Sequence, residues 1–337
     1  MKGRLMTIMD TKKIYVKDLP ENAHIEGLFL IKDKNNGMTK NGKQYIALNL
    51  TDKTGEVKAR IWDNAEKLGA RFSQGDIVNL KAFSVMYQGT LQLNINSIEK
   101  ITADDSLLME LLPASKINTD ELFEELLGIC RTFSNPHLNK LIELIFGCAA
   151  NAKAFKKAPA AKSIHHDYLG GLIEHTTNVT RLARAIAPLY PNLNADLLLT
   201  GAILHDIGKI QELAYENNFT YTDAGRLIGH ITLGDEIVAD AIKQLPEFPR
   251  DLALVVRHLM LSHHGQYEFG SPKRPKTPEA LLLSYLDDLD AKMFGFTEQI
   301  KKEKNPDSKW TSYNKLFDRY LYTDTFVDTE PPSRVED

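Results

Sequence analysis

The sequence predicts two domains of different class, a small N-terminal β-barrel followed by an all-α domain. Three observations carry this. The chain is 337 residues long, more than one small domain usually holds. Residues 23–101 set apolar side chains at every second position, the period of half-buried strands, as in Val57-Ala59-Ile61 and Leu91-Leu93-Ile95. From about residue 104 the spacing changes to that of helices.

The strand region divides at its turns. AHIEGLFLIKD runs into the turn-rich KNNGMTKNGK and then QYIALNLTD. The turn DKTG leads into EVKARIW, and DNAEKLGARF reads as a short helix. After Gly75 come DIVNLKAFSVMY, the turn QGT, and LQLNINSIEKI. Five strands with a helix between the third and fourth is the order of an OB-fold, a barrel that commonly binds oligonucleotides. Its binding faces stack bases on aromatic rings beside basic side chains. The candidates for such contacts are Phe29, Tyr45, Trp62 and Tyr87, with Lys58 and Arg60 among them. Any one of these rings is more often core than platform, because strands bury large rings routinely.

Beyond the barrel, DDSLLMELLP and NTDELFEELLGICRTF have helical spacing with acidic residues near their starts, where the helix dipole favours them. LNKLIELIFG continues the period. The expected organisation is a barrel over 1–103, a helical connector over 104–160 and the main helical domain over 161–302. The charged tail, 303–337, ends in TEPPSRVED and reads as a loose terminus.

Composition adds exclusions. Hydrophobic residues make up 43% of the chain, enough for a sizeable core. No run approaches the roughly 18 apolar residues of a membrane span, and MKGRLMTIMDTKKIYVKD lacks a signal-peptide core. Cys130 and Cys148 read as reduced core thiols, in keeping with a cytoplasmic protein. A net charge of −4 argues by itself against a polyanionic partner, but residues 1–100 carry 16 Lys+Arg against 11 Asp+Glu. A basic module joined to an acidic one fits a division between attracting phosphate and holding carboxylates for metal; solvated surface charge accounts for the numbers equally well.

The helical part concentrates histidines. In GGLIEHTTNVTRLARAIA, Leu172, His175, Val179, Leu182 and Ile186 share one face, so His175 points inward. NADLLLTGAILHDIGK is a strongly apolar helix with Asn194 as its cap, Gly208 as its stop and His205-Asp206 at its end. A carboxylate there is disfavoured by desolvation and by the negative helix terminus; a cation removes both objections. His230 opens IGHITLGDEIVADAI. In DLALVVRHLMLSHHG, Leu252, Val256, Leu259 and His263 share a face, with His264 adjacent and His258 off it. TPEALLLSYLDDLDAKM, begun by Thr277 and Pro278, carries Asp287-Asp288-Asp290 deep in an apolar helix. Each residue alone is more often a hydrogen-bonded core group than a ligand. Together, imidazoles and carboxylates on five successive helices form the mixed donor set that suits Mn, Fe, Zn or Co. Two such ions sharing a carboxylate are an established device for cutting phosphodiesters.

His175, then His205-Asp206, then an Asp in the final helix resemble the HD phosphohydrolase superfamily, whose motif register makes Asp287 the ligand rather than Asp288 or Asp290. His230 and His263-His264 are similar to those of two-metal HD enzymes such as the HD-GYP phosphodiesterases, although QYEFGSPKRPKTP after SHHG lacks the GYP signature. The barrel, HHDYLGGLIEHT, LLTGAILHDIGK, SHHG, a GSP loop and LDDLDAKM together resemble the YhaM family of 3′-to-5′ exoribonucleases over about residues 15–300. The resemblance implies one ion on His175, His205, Asp206 and Asp287, and a second on His230, His263 and His264 with Asp206 as bridge. It implies two divalent transition-metal ions with Mn²⁺ as activator (Fe, Co or Zn as alternatives), and single-stranded RNA, with single-stranded DNA as a further substrate, cut to nucleoside monophosphates.

Asp206 and Lys209 are the catalytic candidates. Lys209 either meets the scissile phosphate or is a lysine favoured by a helix C-terminus. Lys273 and Arg274 in GSPKRP are phosphate-binding candidates or plain surface charge, and His165 and His166 precede the first ligand helix as cleft candidates. A nucleotide phosphohydrolase or cyclic-nucleotide phosphodiesterase acting on small substrates is the rival enzyme; a free nucleotide needs no strand-tracking barrel. A nucleic-acid-binding protein with a structural metal is the rival from another class. Homo-oligomerisation is left open.

Overall fold

The computed structural model describes residues 14–39, 41–102, 111–112, 115, 117–161, 168–214, 220–303 and 308–325. Strands β1 (His24–Met38), β2 (Gln44–Asp52), β3 (Gly55–Ile61), β4 (Ile77–Tyr87) and β5 (Thr90–Ile101) close into a barrel in the order β1-β2-β3-β5-β4, with helix α1 (Ala65–Gly69) between β3 and β4. This is the expected OB-type topology. Closure depends on two local features. β1 serves two neighbours, pairing β4 through His24–Leu30 and β2 through Leu30–Met38, and a bulge between Ile31 and Asp33 bends it from one to the other. β3 and β5 run parallel, with Lys58 opposite Gln92 and Arg60 opposite Asn94. The β4–β5 hairpin turns on Gln88 (φ +50°) and Gly89 (φ +75°), whose consecutive left-handed conformations match the strand twist.

The run Leu28-Phe29-Leu30-Ile31 shows why the barrel is not simply half-buried. Phe29 and Ile31 point into the barrel core with Ile46, Leu48, Ile61 and Leu93. Leu28 and Leu30 point outward, but into a second cluster with Ile77, Leu111, Leu112 and Leu169 that joins the barrel to the helical part. Phe29 is therefore 0% exposed. A ring with no accessible face cannot stack on a base, and its assignment to the nucleic-acid face is corrected.

The helices are α2 (Thr119–Cys130), α3 (Pro136–Gly147), α4 (Ala149–Lys157), α5 (Gly171–Ile186), α6 (Ala195–Leu204), α7 (Lys209–Glu212), α8 (Asp223–Leu227), α9 (His230–Lys243), α10 (Arg250–Ser262) and α11 (Pro278–Glu303). Asn118, Asn135 and Asn194 each accept a hydrogen bond from a first-turn N–H of the helix they precede, satisfying donors that the helix cannot. Thr277 caps α11 through Ala280. One hydrophobic cluster runs from Leu122 and Phe155 through Leu198 and Val256 to Leu286, so α2–α4 share their core with the later helices. α6 is buried from Leu197 to Leu204 and is the axis around which the others pack.

Three smaller expectations are corrected. Cys148 is exposed, whereas Cys130 is buried; both are free thiols. Part of the tail is folded: Trp310 bridges to Tyr322, Asn314 to Arg319, and Phe317 packs 4.3 Å from Phe296 of α11. TEPPSRVED lies outside the described residues. Gly208 is not the stop of α6, which ends at Leu204; with φ −63° it immediately precedes α7. Among the described residues, no helix is long and apolar enough to cross a membrane.

Candidate metal centre and nucleic-acid face

Separate elements bring the candidate ligands together: His175 from the middle of α5, His205 and Asp206 from the turn after α6, His230 from the first position of α9, His263 and His264 just past α10, and Asp287 from α11. Gly208 makes part of this packing possible. A Cβ there would stand 2.0 Å from the His230 carbonyl oxygen and 2.5 Å from the Gly234 nitrogen, so only glycine lets α9 start against the turn that carries Asp206.

Asp206 sits between two groups. Its Oδ2 lies 3.6 Å from His175 Nε2 and 3.4 Å from His205 Nε2. Its Oδ1 lies 3.5 Å from His230 Nε2 and 3.7 Å from His263 Nε2. Asp287 Oδ1 completes the first group, 3.2 Å from His175 Nε2 and 3.8 Å from His205 Nε2. His264 completes the second, its Nε2 3.3 Å from that of His230.

All five rings are held from behind through Nδ1. His205 faces the Ala202 carbonyl at 2.9 Å, His263 that of Met260 at 2.7 Å and His264 that of Phe269 at 2.9 Å. His175 faces Asp290 at 2.7 Å and His230 faces Glu212 at 3.0 Å. A carbonyl oxygen only accepts, so Nδ1 carries the proton and Nε2 presents a lone pair inward. His175 and His205 bring their Nε2 atoms within 3.2 Å of each other, and buried His263 Nε2 and Asp206 Oδ1 have no hydrogen-bond partner. Crowded, unsatisfied donors of this kind fit metal cations, and outer oxygens on the far ring nitrogens are how metal-binding histidines are oriented.

The electrostatics agree. Burial, then the neighbouring His264, holds His263 well below the ordinary imidazole range, and burial with His230 lowers His264, keeping both in the neutral form that ligates. Burial opposes ionisation of Asp206, but Lys209, His205 and His230 outweigh it and hold the carboxyl well below the usual range. Burial would also lower His175, yet hydrogen bonds to Asp287 and Asp290 push it up to about 9. The pocket favours positive charge at that Nε2, which a metal ion there would supply.

Lys209 is buried, with Nζ 2.6 Å from Asp206 Oδ2. A cavity of about 940 Å³ opens on the cluster, its wall including Lys209, Glu212, His230, His264 and Asp287 and, farther out, Arg274 and Lys276. Lys273 is not part of that wall; its backbone N–H donates to Leu261. His165 and His166 lie outside the described residues. Asp288 also borders the cavity, but it is exposed and paired with Lys292 at 2.6 Å. Sequence reasoning missed Glu212 and Lys276 and set Asp290 aside. Asp290 was detectable, because three residues along a helix return to nearly the same face as Asp287. Glu212, the last residue of the four-residue α7, had no such periodic signal.

On the barrel, Tyr45 and Trp62 stand 5.2 Å apart, and the Arg60 guanidinium lies 5.2 Å from each ring and 5.9 Å from Tyr87. The Tyr45 ring lies over Gly37, where a Cβ would come within 2.4 Å of it. Trp62 Nε1 donates to Asn94 at 3.0 Å, fixing the indole. Lys58, exposed and two residues before Arg60 on β3, projects from the same side of the strand.

Residues 172–292 match the HD domain family, and residues 30–101 match a family described as an OB-fold nucleic acid binding domain. The 3′-5′ exoribonuclease YhaM of Shouchella clausii is 35% identical over 270 residues, 80% of this chain and 84% of that protein. That of Listeria monocytogenes is 34% identical over 310 residues, 92% of this chain and 98% of its own. The chain belongs to the YhaM family. The YhaM of Bacillus subtilis, 32% identical over 303 residues, covers 90% of this chain and 95% of its own. This YhaM-family chain thus shares both the barrel and the helical domain with its relatives. A solved structure, the second OB-fold domain of replication protein A from Methanococcus maripaludis, is similar to 27% of the chain and 97% of that domain at 18% identity, with a TM-score of 0.23.

Proposed function

We propose that the protein is a metal-dependent 3′-5′ exoribonuclease that removes nucleoside monophosphates from single-stranded RNA. One observation carries the reading: five inward Nε2 atoms and the carboxylates of Asp206 and Asp287 converge beside a cavity whose lining also includes Lys209, Arg274 and Lys276. His175, His205, Asp206 and Asp287 would hold one ion, and His230, His263 and His264, with Asp206 shared, would hold the second, with Mn²⁺ as activator. When bound, such ions supply Lewis acidity toward the phosphate and lower the pKa of water. The rest falls to the chain. Asp290 and Glu212 fix the tautomers of His175 and His230. Lys209, Arg274 and Lys276 offer positive charge to phosphate oxygens. Tyr45, Arg60, Trp62 and Tyr87, with Lys58, hold the strand upstream by stacking and by charge. The 3′-to-5′ direction and the RNA preference rest on the names of the YhaM relatives. Free Cys130 and Cys148 fit a reducing cytoplasm.

The test is Mn²⁺-dependent release of mononucleotides from single-stranded RNA labelled at its 5′ end, with single-stranded DNA in parallel. A ladder shortening from the 3′ end is expected. Release from the 5′ end, or none with Mn²⁺ present, overturns the reading.

A further inference from the structure

The outer wall of the cavity holds two rings that a metal centre does not need. Tyr285 of α11 and Phe269, in the turn after α10, are each 65% exposed, and both line the cavity that reaches Asp287 and His264. Tyr285 and Asp287 lie on different faces of α11, and it is the cavity, which both border, that connects them. The Phe269 carbonyl oxygen is the one that holds His264 Nδ1, so its ring stands on backbone fixed to the metal cluster. Leu281, half-exposed, extends the apolar rim, and Arg274 and Lys276 stand in the same wall. Exposed apolar surface rimmed by polar groups marks a binding site, and rings beside cations suit a base attached to a phosphate.

Resting on the exoribonuclease reading, we propose that Tyr285 and Phe269 form a stacking subsite for the base of the 3′-terminal nucleotide, with Arg274 and Lys276 toward its backbone. Every base has a π-face, so such a subsite accepts all four and makes stepwise removal tolerant of sequence. It is a positioning device, distinct from the barrel platform, and it acts on the nucleotide being released.

The experiment uses the full-length protein with Mn²⁺. Calorimetry compares AMP with ribose 5-phosphate, which keeps the phosphate and lacks the base. AMP binds about tenfold tighter, the effect of one stacked base. Tyr285→Ala loses that preference and Tyr285→Trp retains it, with metal content at the wild-type level in both. In hydrolysis, an abasic 3′-terminal residue raises KM by a similar factor in the wild type and adds little in Tyr285→Ala. Equal binding of the two ligands by the wild type overturns the proposal even where RNA is degraded. So do losses from the abasic end and from Tyr285→Ala that simply multiply, or a change of oligomeric state in Tyr285→Ala with the AMP preference intact, which would assign the rim to contact between copies. If AMP is preferred and no RNA is cut, the subsite stands and the exoribonuclease reading fails.

Discussion

On the barrel face, Tyr45, Arg60 and Trp62 stand half in water and meet at 5.2 Å with no fixed hydrogen bond among them. In the metal centre, each of five imidazoles is pinned at Nδ1 by an oxygen at 2.7–3.0 Å, and one carboxylate faces two clusters at once. The first arrangement spreads its function over several interchangeable contacts. The second routes everything through a few atoms that have no substitute. One region should therefore lose function gradually under substitution, and the other abruptly.

The abrupt case is Asp206→Ala, which should lower RNA hydrolysis by more than about a hundredfold and reduce metal content at both positions, read by elemental analysis beside the RNA assay. Retained turnover without metal would break the comparison at its root. Next in size is a barrel substitution that belongs to the core. Phe29→Ala should cost about 3–5 kcal/mol of stability in denaturant unfolding while leaving RNA affinity per folded molecule unchanged. Asp290→Ala and Glu212→Ala should each weaken metal binding by about 10–100-fold, the first at the His175 ion and the second at the His230 ion, so titration should find one tight and one weak site in each variant. Smaller still, Arg60→Ala or Trp62→Ala should reduce RNA affinity by about tenfold, and loss of the guanidinium should make the salt dependence shallower by roughly one phosphate contact. At the bottom, Asp288→Asn should change activity by less than about twofold, since it loses only a surface pair with Lys292, whereas Asp287→Asn should remove most hydrolysis while weakening metal binding at the His175 position alone.

The two regions were unequally legible in the sequence. Strand order came from turns and from alternation, which are local, and the inward histidines came from helical spacing, which is also local. What escaped depended on contacts between distant segments. Phe29 looked available because nothing in GLFLI reveals that Leu111, Leu112 and Leu169 cover the outside of β1 and leave the inside for the ring. Glu212 became an anchor only because Gly208 lets α9 close in, placing His230 on its carboxylate. Asp290 was a failure of choice: helical arithmetic put it near Asp287, but the motif register needed only one carboxylate. The folded tail, held by Phe317 against Phe296, was hidden behind its overall charge.

The bond between His175 and Asp290 joins positions 115 residues apart. During synthesis, α5 and the turn after α6 emerge with His175, His205 and Asp206, while His230, His263, His264 and Asp287 are still to be made. Chain growth runs at roughly 5–20 residues per second, so an interval of several seconds separates the first ligand from the last. Through that interval the protein has the barrel that grips single strands but an incomplete ligand set for cutting them. Placing Asp287 and Asp290 on the last long helix makes completion of the ligand set one of the last events of chain growth.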